Sequence, residues 1–280
     1  IGHKMQISPH VYSIHIDDNS FFHPGGSNIF LVGDLATGMF IIDAGENNDK
    51  WIKTILDGYL SLGKPKIKGV LITHGHNDHV GGLKRILDEV NAPVFCHPQL
   101  VDRLEKLIGR KIVYPVFDNG IITINDEVHL LSIFTPGHDT THVCYYMDKE
   151  EIMFTGDTVL GSSSSTVQDM SAYMNSIYKL DACKIKIVCP GHGAVALPPN
   201  GERLIPKYIR NRLNREESII VALKSGINTV DSIVTEIYSE RLNKGLRSAA
   251  SRNIVAHLNK LVKEKVVGAN TIDSTYHVLD

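Results

Sequence analysis

The sequence predicts an α/β layered domain followed by a smaller helical domain. Over the first 200 residues, short apolar runs of strand length alternate with segments of helical periodicity, which is typical of layered α/β domains. The stretch 197–201 contains two prolines and a glycine and interrupts this alternation, and longer helical patterns follow it. We therefore expect one domain over residues 1–200 and a second over residues 201–280.

The elements of the first domain are assigned from the period and the length of each apolar run. Apolar runs of strand length lie at 29–32, 39–42, 69–73, 93–96, 127–134, 143–147, 152–155 and 185–189. Segments with helical spacing lie at 50–61, 83–90, 98–108 and 170–179. No segment repeats at a fixed interval, so a solenoid is not expected.

The second domain has a different pattern. Residues 202–223 predict one long helix that is rich in basic side chains. Two further helices are predicted at 229–239 and 248–265, and the tail 266–279 alternates like a small hairpin. Three helices followed by a hairpin describe a winged helix.

Charge also divides between the two domains. Residues 201–280 carry 13 Lys and Arg against 9 Asp and Glu, a net charge of +4, and the remainder carries −6, within a total of −2. A basic domain can face a polyanion, but a solvated helix face or a dimer surface would show the same balance. Arg247, Arg252 and Asn253 are the candidates for contacts with nucleic acid.

Composition argues against a membrane protein. The chain has no run of about 18 apolar residues, and its N-terminus lacks the apolar core of a signal peptide. The cysteines form no CxxC pair, so we expect reduced thiols. The sequence therefore predicts a protein of the cytoplasm or an organelle matrix, with no membrane partner.

The densest group of metal-binding side chains follows the strand predicted at 69–73. His74, His76, Asp78 and His79 lie within six residues. Imidazole and carboxylate ligands hold a divalent metal at roughly 2.0 to 2.2 Å and must converge on it from different directions. On an extended chain His74 and His76 project to the same side, and Asp78 and His79 follow as the chain turns towards a helix. One ion can take the first pair and a second ion the other.

Further ligand-type residues occur at equivalent places later in the chain. His138, Asp157 and His192 each follow an apolar strand and a glycine. The glycine lets the backbone turn sharply and approach an ion. Together with the histidine cluster, these residues predict one metal site.

These motifs and their order resemble the metallo-β-lactamase fold superfamily, from about Val11 to about Ala196. The resemblance includes a strand-end Asp43 in Ile-Ile-Asp-Ala-Gly. It implies the α+β class, with an αββα sandwich and a small C-terminal winged-helix domain. It also implies that Asp43 orients a ligand imidazole, although a simple turn aspartate is the alternative.

The resemblance further implies a ligand set and a mechanism. The first ion would be held by His74, His76 and His138, the second by Asp78, His79 and His192, and Asp157 would bridge them. Two ions roughly 3.5 to 4 Å apart would share a water and present hydroxide to a carbonyl or phosphorus. Zinc is the expected metal, and iron or manganese would also fit.

Two residues are predicted to act in catalysis. Asp78 belongs to the metal site, and Tyr173 would donate a hydrogen bond to the reacting oxyanion unless it only packs. The serines at 162–165 are expected to line the mouth of the site, because no partnered base accompanies them.

A closer resemblance is to the β-lactamase-like protein 2 group of endoribonucleases. It is carried by the segments 156–161, 173–177, 190–193 and 211–216. This group combines the catalytic domain with a winged helix, which implies single-stranded RNA as a substrate. The sequence departs from the group at Gly75 and in the loop 18–26, which contains Phe21, Phe22 and His23. That loop would border the metals and influence substrate choice.

Three functions remain open from the sequence. The first is a phosphodiesterase that acts on single-stranded RNA. The second is a hydrolase of carboxylic esters, thioesters (as in glyoxalase II), lactones or β-lactams, because hydroxide attack serves both classes. In the third, the winged helix binds a protein or forms a homodimer, and the site retains only promiscuous catalysis.

Overall fold

The computed structural model describes residues 4–17, 24–238 and 244–279. Its first part contains two β-sheets that pack face to face. One sheet has the order β1-β2-β3-β4-β5-β6-β7, and its strands are Lys4–Ser8, Val11–Ile16, Ser27–Asp34, Gly38–Ile42, Ile67–Leu71, Val94–Cys96 and Val113–Pro115. The other has the order β12-β11-β10-β9-β8, and β8 to β12 are Gly120–Thr123, His129–Phe134, Val143–Met147, Ile152–Gly156 and Ile187–Pro190.

Helices cover the outer face of each sheet, which completes the predicted αββα sandwich. On the first sheet lie α1 (Asp49–Ser61), α3 (Leu83–Val90) and α4 (Val101–Ile108), and the short α2 (Asn77–Val80) carries Asp78 and His79 of the histidine cluster. On the second sheet lie α5 (Met170–Asp181) and the first part of α6 (Asn200–Lys224). The fold class predicted from the sequence is confirmed.

The strands alternate their side chains between two cores. In β4, Met39 and Ile41 pack against the outer helices, whereas Phe40 and Ile42 pack between the sheets. Because both faces are buried, these strands have the continuous apolar runs that identify them in the sequence. Between the sheets the hydroxyl of Tyr145 donates to the carbonyl of Ile72 over 2.8 Å, directly before the histidine cluster.

The last part of the described chain has the predicted winged-helix order. It consists of α7 (Val230–Ile237), α8 (Lys244–Lys263) and a hairpin of β13 (Val267–Asn270) and β14 (Thr275–Val278). The long helix α6 contributes to two cores: its Tyr208 packs with α5, and its Ile219 packs with α7 and α8. The division between residues 200 and 201 stays a prediction. Every described helix is too short or too polar to span a bilayer.

The apolar runs did not predict every element. The strands β1, β2, β7 and β8 and the helix α2 were not predicted from the sequence. The edge strands β7 and β8 have three and four residues, and several of their side chains are exposed. The predicted helix at 248–265 begins earlier, at Lys244. Residues 18–23 of the loop 18–26, including Phe21, Phe22 and His23, lie outside the described residues, as does residue 239 of the helix predicted at 229–239.

Candidate metal centre

Loops at one end of the sandwich bring all the predicted ligand residues together. They follow β5, β9, β11 and β12, and so come from both sheets. The side chains form two groups, and within each group the ligand atoms lie within 4.8 Å of one another: His74, His76, His138 and Asp157 in one, Asp78, His79 and His192 in the other. The six residues other than Asp157 are divided as the resemblance implies, and the ligand roles themselves stay predictions.

In the first group three imidazole nitrogens converge. Nδ1 of His76 lies 2.9 Å from Nε2 of His74 and 3.1 Å from Nε2 of His138. Nitrogens that share one tetrahedral zinc ion lie roughly 3.3 Å apart, because each is about 2.0 to 2.1 Å from the metal. The spacing of the three nitrogens therefore matches one face of such a site.

The second group is joined to the first by Asp157. Oδ2 of Asp157 is 3.6 Å from Nε2 of His138, and Oδ1 is 3.4 Å from Nε2 of both His79 and His192. Asp78 closes the second group, with Oδ2 3.2 Å from Nε2 of His192. Asp157 thus presents one oxygen to each group, as the predicted bridging role requires.

Two buried atoms show that these residues fit a metal. Nε2 of His79 and Oδ1 of Asp157 are buried and have no hydrogen-bond partner within the described part of the chain. Such an atom costs about 1 to 3 kcal/mol unless it is satisfied. A divalent ion would satisfy both, and a set of imidazole and carboxylate donors suits zinc, iron or manganese.

The outward nitrogens of the imidazoles are held by the protein. Nδ1 of His79 donates to Asp43 over 2.7 Å, so the predicted contact between Asp43 and a ligand imidazole is present. Asp43 also accepts hydrogen bonds from the backbone N–H and the hydroxyl of Thr73, both at 2.8 Å. Nδ1 of His138 donates to the carbonyl of Thr166 over 2.7 Å. These contacts direct Nε2 of His79 and of His138 into the site.

Charges at the site are strongly coupled. Burial lowers the pKa of His74 well below its ordinary value, with help from the neighbouring His79. Burial also opposes a charge on His192, but Asp157 and Asp78 outweigh it and raise the pKa of His192 to about 9. Burial raises the pKa of Asp157, but His192 and His79 outweigh it and hold that pKa well below its ordinary value. The centre therefore favours an ionised Asp157, the form that binds a cation.

His142 is a buried residue of the site that was not singled out from the sequence. Its Nε2 accepts the backbone N–H of Asp157 over 3.0 Å, and its Nδ1 lies 2.9 Å from the hydroxyl of Thr135. Its ring stacks on His74 with 4.9 Å between centroids, and burial lowers its pKa to about 3. Because Nε2 accepts from the backbone, His142 positions Asp157 and does not offer that nitrogen to a metal. Its place four residues after His138 was the available sequence signal.

Tyr173 lies beside the site, but its hydroxyl bonds to the protein backbone. It is fully buried, and its hydroxyl donates to the carbonyl of Thr158 over 2.7 Å. The guanidinium of Arg212 lies 5.0 Å from its ring. A side chain on Gly137 would meet the Tyr173 backbone at 2.4 Å, so α5 packs tightly on the loop that carries His138. This geometry supports the packing role and not the donation to an oxyanion.

Ser165 is one of the serines at 162–165, the serine loop, and it contacts a predicted ligand. Its Oγ lies 3.2 Å from Nδ1 of His138.

The three candidates for contacts with nucleic acid lie on α8. Arg247 donates to the hydroxyl of Thr235, and the exposed Arg252 donates to Ser248. Asn253 is only 7 % exposed and faces the catalytic domain, so its position does not support the predicted contact with nucleic acid.

Comparisons with known proteins agree with this architecture. A family model described as "Metallo-beta-lactamase superfamily" matches residues 23–192, and one described as "Beta-lactamase associated winged helix domain" matches residues 229–272. The chain is 29% identical over 275 residues to the "Atrochrysone carboxyl ACP thioesterase nsrC" of Aspergillus novofumigatus (strain IBT 16806), which covers 94% of this chain and 82% of that protein. It is 30% identical over 261 residues to the "Lactamase-like protein nscB" of Arthroderma benhamiae, covering 88% of this chain and 56% of that protein.

Solved structures show the same fold. A β-lactamase domain protein from Burkholderia ambifaria superposes with a TM-score of 0.83 at 17% identity, over 99% of this chain and 94% of that one. A metallo-β-lactamase family protein from Thermus thermophilus superposes with a TM-score of 0.76 at 19% identity, over 98% of this chain and all of that one. At such identities the likeness concerns the fold alone.

Proposed function

This chain belongs to the metallo-β-lactamase superfamily and is a hydrolase, and on that premise we propose that it uses two divalent metal ions to cleave acyl thioesters. The observation that carries the proposed two-metal centre is the position of Asp157, which directs one carboxylate oxygen towards each of the two ligand groups. We expect zinc in both positions, because zinc is commonly held by imidazole and carboxylate ligands.

The residues of the site divide the work. His74, His76 and His138 would hold one ion, and Asp78, His79 and His192 the other, with Asp157 facing both. Divalent ions in such a centre lower the pKa of water and polarise the carbonyl oxygen of a substrate. The carboxylate of Asp78 is 20% exposed, twice as much as that of Asp157 at 10%, so it is the better placed of the two to orient the attacking water. Asp43 and Thr166 keep the rings of His79 and His138 in place.

The substrate classes differ in whether the leaving group needs a proton. A thiol has a pKa of about 8.5, so it departs as a thiolate without being protonated. An alkoxide from RNA or a carboxylic ester needs a proton as its bond breaks. The hydroxyl of Tyr173 donates its hydrogen bond to the carbonyl of Thr158 and does not supply that proton. This difference favours a thioester.

Relatives support the same substrate class. The fungal protein described above is named for an acyl-carrier thioesterase activity, and so is a relative from Cryptosporiopsis sp. (strain 8999) that is 28% identical over 88% of this chain and 77% of that protein. The likeness extends over both the catalytic part and the winged helix. Cleavage of single-stranded RNA, as in the β-lactamase-like protein 2 group, remains the second candidate because residues 201–280 are net basic.

A substrate panel tests the proposal. Metal-loaded protein is assayed with acyl-coenzyme A and acyl-N-acetylcysteamine thioesters, single-stranded RNA, a phosphodiester, lactones and a β-lactam. We expect release of thiol from the thioesters and a loss of at least about 100-fold in Asp78→Ala. Asp57→Ala is the matched control, because Asp57 is an exposed carboxylate on α1 and should retain full activity. Cutting of RNA that Asp78→Ala abolishes, with no thiol release, would instead establish the endoribonuclease.

A further inference from the structure

We propose that the winged helix helps to orient a residue of the metal centre: Asn253 on α8 positions His138 through the backbone of residues 165–167. The inference rests on the proposed role of His138 as a metal ligand. It assigns a function to a helix face that the sequence suggested for nucleic acid.

The first step is the contact at His138 itself. Its Nδ1 donates to the carbonyl of Thr166 over 2.7 Å, and the hydroxyl of Ser165 lies 3.2 Å away from the same nitrogen. Because a carbonyl only accepts, Nδ1 must carry the hydrogen, and the lone pair of Nε2 then faces into the centre. The carbonyl of Thr166 therefore fixes both the tautomer and the direction of the ring.

The second step is what holds that carbonyl. Residues 164–167 belong to no helix or strand, so no regular backbone ladder fixes them. The side-chain oxygen of Asn253 accepts the N–H of Val167 over 2.9 Å, and its nitrogen donates to the carbonyl of Ser165 over 3.3 Å. The side-chain amide of Asn253 thus bonds to the backbone on both sides of Thr166, and we call these two hydrogen bonds the bracket. Arg212 on α6 adds a second hydrogen bond to the carbonyl of Ser165, over 2.7 Å.

Burial makes these bonds consequential. Asn253 is 7 % exposed and Arg212 is 5 % exposed, so water does not readily replace either partner. Ala256, one turn after Asn253 on α8, belongs to the same apolar core as Val167 and the residues of α5. This face of α8 therefore packs against the catalytic domain, where it is not available to a groove of nucleic acid.

Asparagine suits this position for a chemical reason. The site needs one acceptor for the N–H of Val167 and one donor for the carbonyl of Ser165, and an amide supplies both on a short arm. Aspartate has nearly the same shape but would direct an oxygen at the carbonyl of Ser165. Asn253→Asp therefore removes half of the bracket with little change in volume, and Asn253→Ala removes all of it.

Cobalt substitution tests the inference in the full chain. Wild type, Asn253→Ala and Asn253→Asp are loaded with Co²⁺, whose visible absorption reports ligand geometry, and both affinities are measured by competition with a chelator. We expect a changed spectrum and about a 10-fold weaker affinity for one of the two ions in each Asn253 variant, since residues that hold a ligand typically contribute 10- to 100-fold. Arg252→Ala is the control, because Arg252 is the exposed neighbour and contacts Ser248.

The outcomes separate this inference from the proposed function. A wild-type protein that binds fewer than two Co²⁺ ions would overturn the dinuclear centre itself. Wild-type binding of two ions with unchanged spectra and affinities in the Asn253 variants would overturn the positioning role, even if the variants melt at lower temperature. If Asn253→Ala fails to fold, Asn253→Asp and Arg212→Lys both weaken the hydrogen bonds to the carbonyl of Ser165. Unchanged cobalt spectra in both variants would then reject the positioning role.

Discussion

At the residue scale, the orientation of one predicted ligand depends on Asp43. Its carboxylate accepts two hydrogen bonds from Thr73 and a third from His79. It lies in the left-handed region at φ 63, which the bonds to Thr73 help to hold. The orientation of His79, and with it the second ligand group, therefore depends on a carboxylate that does not itself face the site.

Replacing Asp43 by asparagine tests this dependence. In Asp43→Asn the nitrogen of the amide can take the place of the oxygen that accepts from His79, and two donors would then face each other. We expect the affinity for one metal ion to fall by 10- to 100-fold, as found for residues that orient a ligand. Competition with a chelator measures the change. The control is Asp57→Asn on the exposed face of α1, and equal affinities in both variants would contradict the prediction.

At the element scale, a buried polar cluster joins α6 to α8. Nδ1 of His257 lies 3.1 Å from Oε1 of Glu216, and Lys260 donates to the other oxygen of Glu216 over 2.9 Å. Burial lowers the pKa of His257, and the charges of Arg212 and Arg215 on α6 act in the same direction, although Glu216 opposes them. The folded protein therefore favours neutral His257.

A pH dependence of stability follows from this cluster. Below the ordinary histidine pKa of about 6.5, the unfolded chain takes up a proton on His257 that the folded protein resists, so the free energy of unfolding falls as pH drops. His257→Asn removes the titration and keeps a donor near the position of Nδ1. We expect the unfolding temperature to drop less between about pH 7.5 and about pH 5.5 in His257→Asn than in wild type.

The matched control for this measurement is His129→Asn. His129 is exposed at the start of β9, away from α6 and α8. An identical pH profile in wild type and His257→Asn, followed by thermal unfolding, would show that the cluster does not contribute.

The elements differ in how far the sequence predicted them. Strands such as β4 and β10 are buried on both faces, so a continuous apolar run identifies them. The edge strand β8 was not predicted: it has only four residues, it pairs with β9 alone, and its Ile121 is 72% exposed. The helix α8 also begins four residues before the predicted start, at Lys244.

At the scale of the whole molecule, the metal centre depends on the assembly of the sandwich. The cluster from His74 to His79 follows the first sheet, whereas His138, Asp157 and His192 follow strands of the second. Metal binding therefore requires both sheets in their native arrangement. Since the unfolded chain cannot gather these ligands, bound metal stabilises the folded state by mass action.

Metal removal should accordingly destabilise the whole protein. We expect about two ions per chain by elemental analysis, and a fall in this number in His192→Ala. A metal present at about 100 times its dissociation constant adds about 2.7 kcal/mol to the free energy of unfolding, so a chelator should lower the unfolding temperature measurably. His129→Asn serves again as an exposed histidine control. A stable single ion per chain, or a chelator with no effect, would contradict the dinuclear centre.

From the sequence, the apolar runs predicted a layered α/β domain, because such runs mark strands that are buried on both faces. The αββα sandwich and the set of residues that gather at its end were implied by the resemblance to the metallo-β-lactamase superfamily, which depends on the order of the motifs along the chain. The folded chain sets which neighbours each of these residues has. In the structure the hydroxyl of Tyr173 donates to Thr158, His142 accepts the backbone N–H of Asp157, and Asn253 accepts the N–H of Val167, beside the serine loop. These contacts join residues that are separated in the chain, so no local pattern in the sequence predicts them.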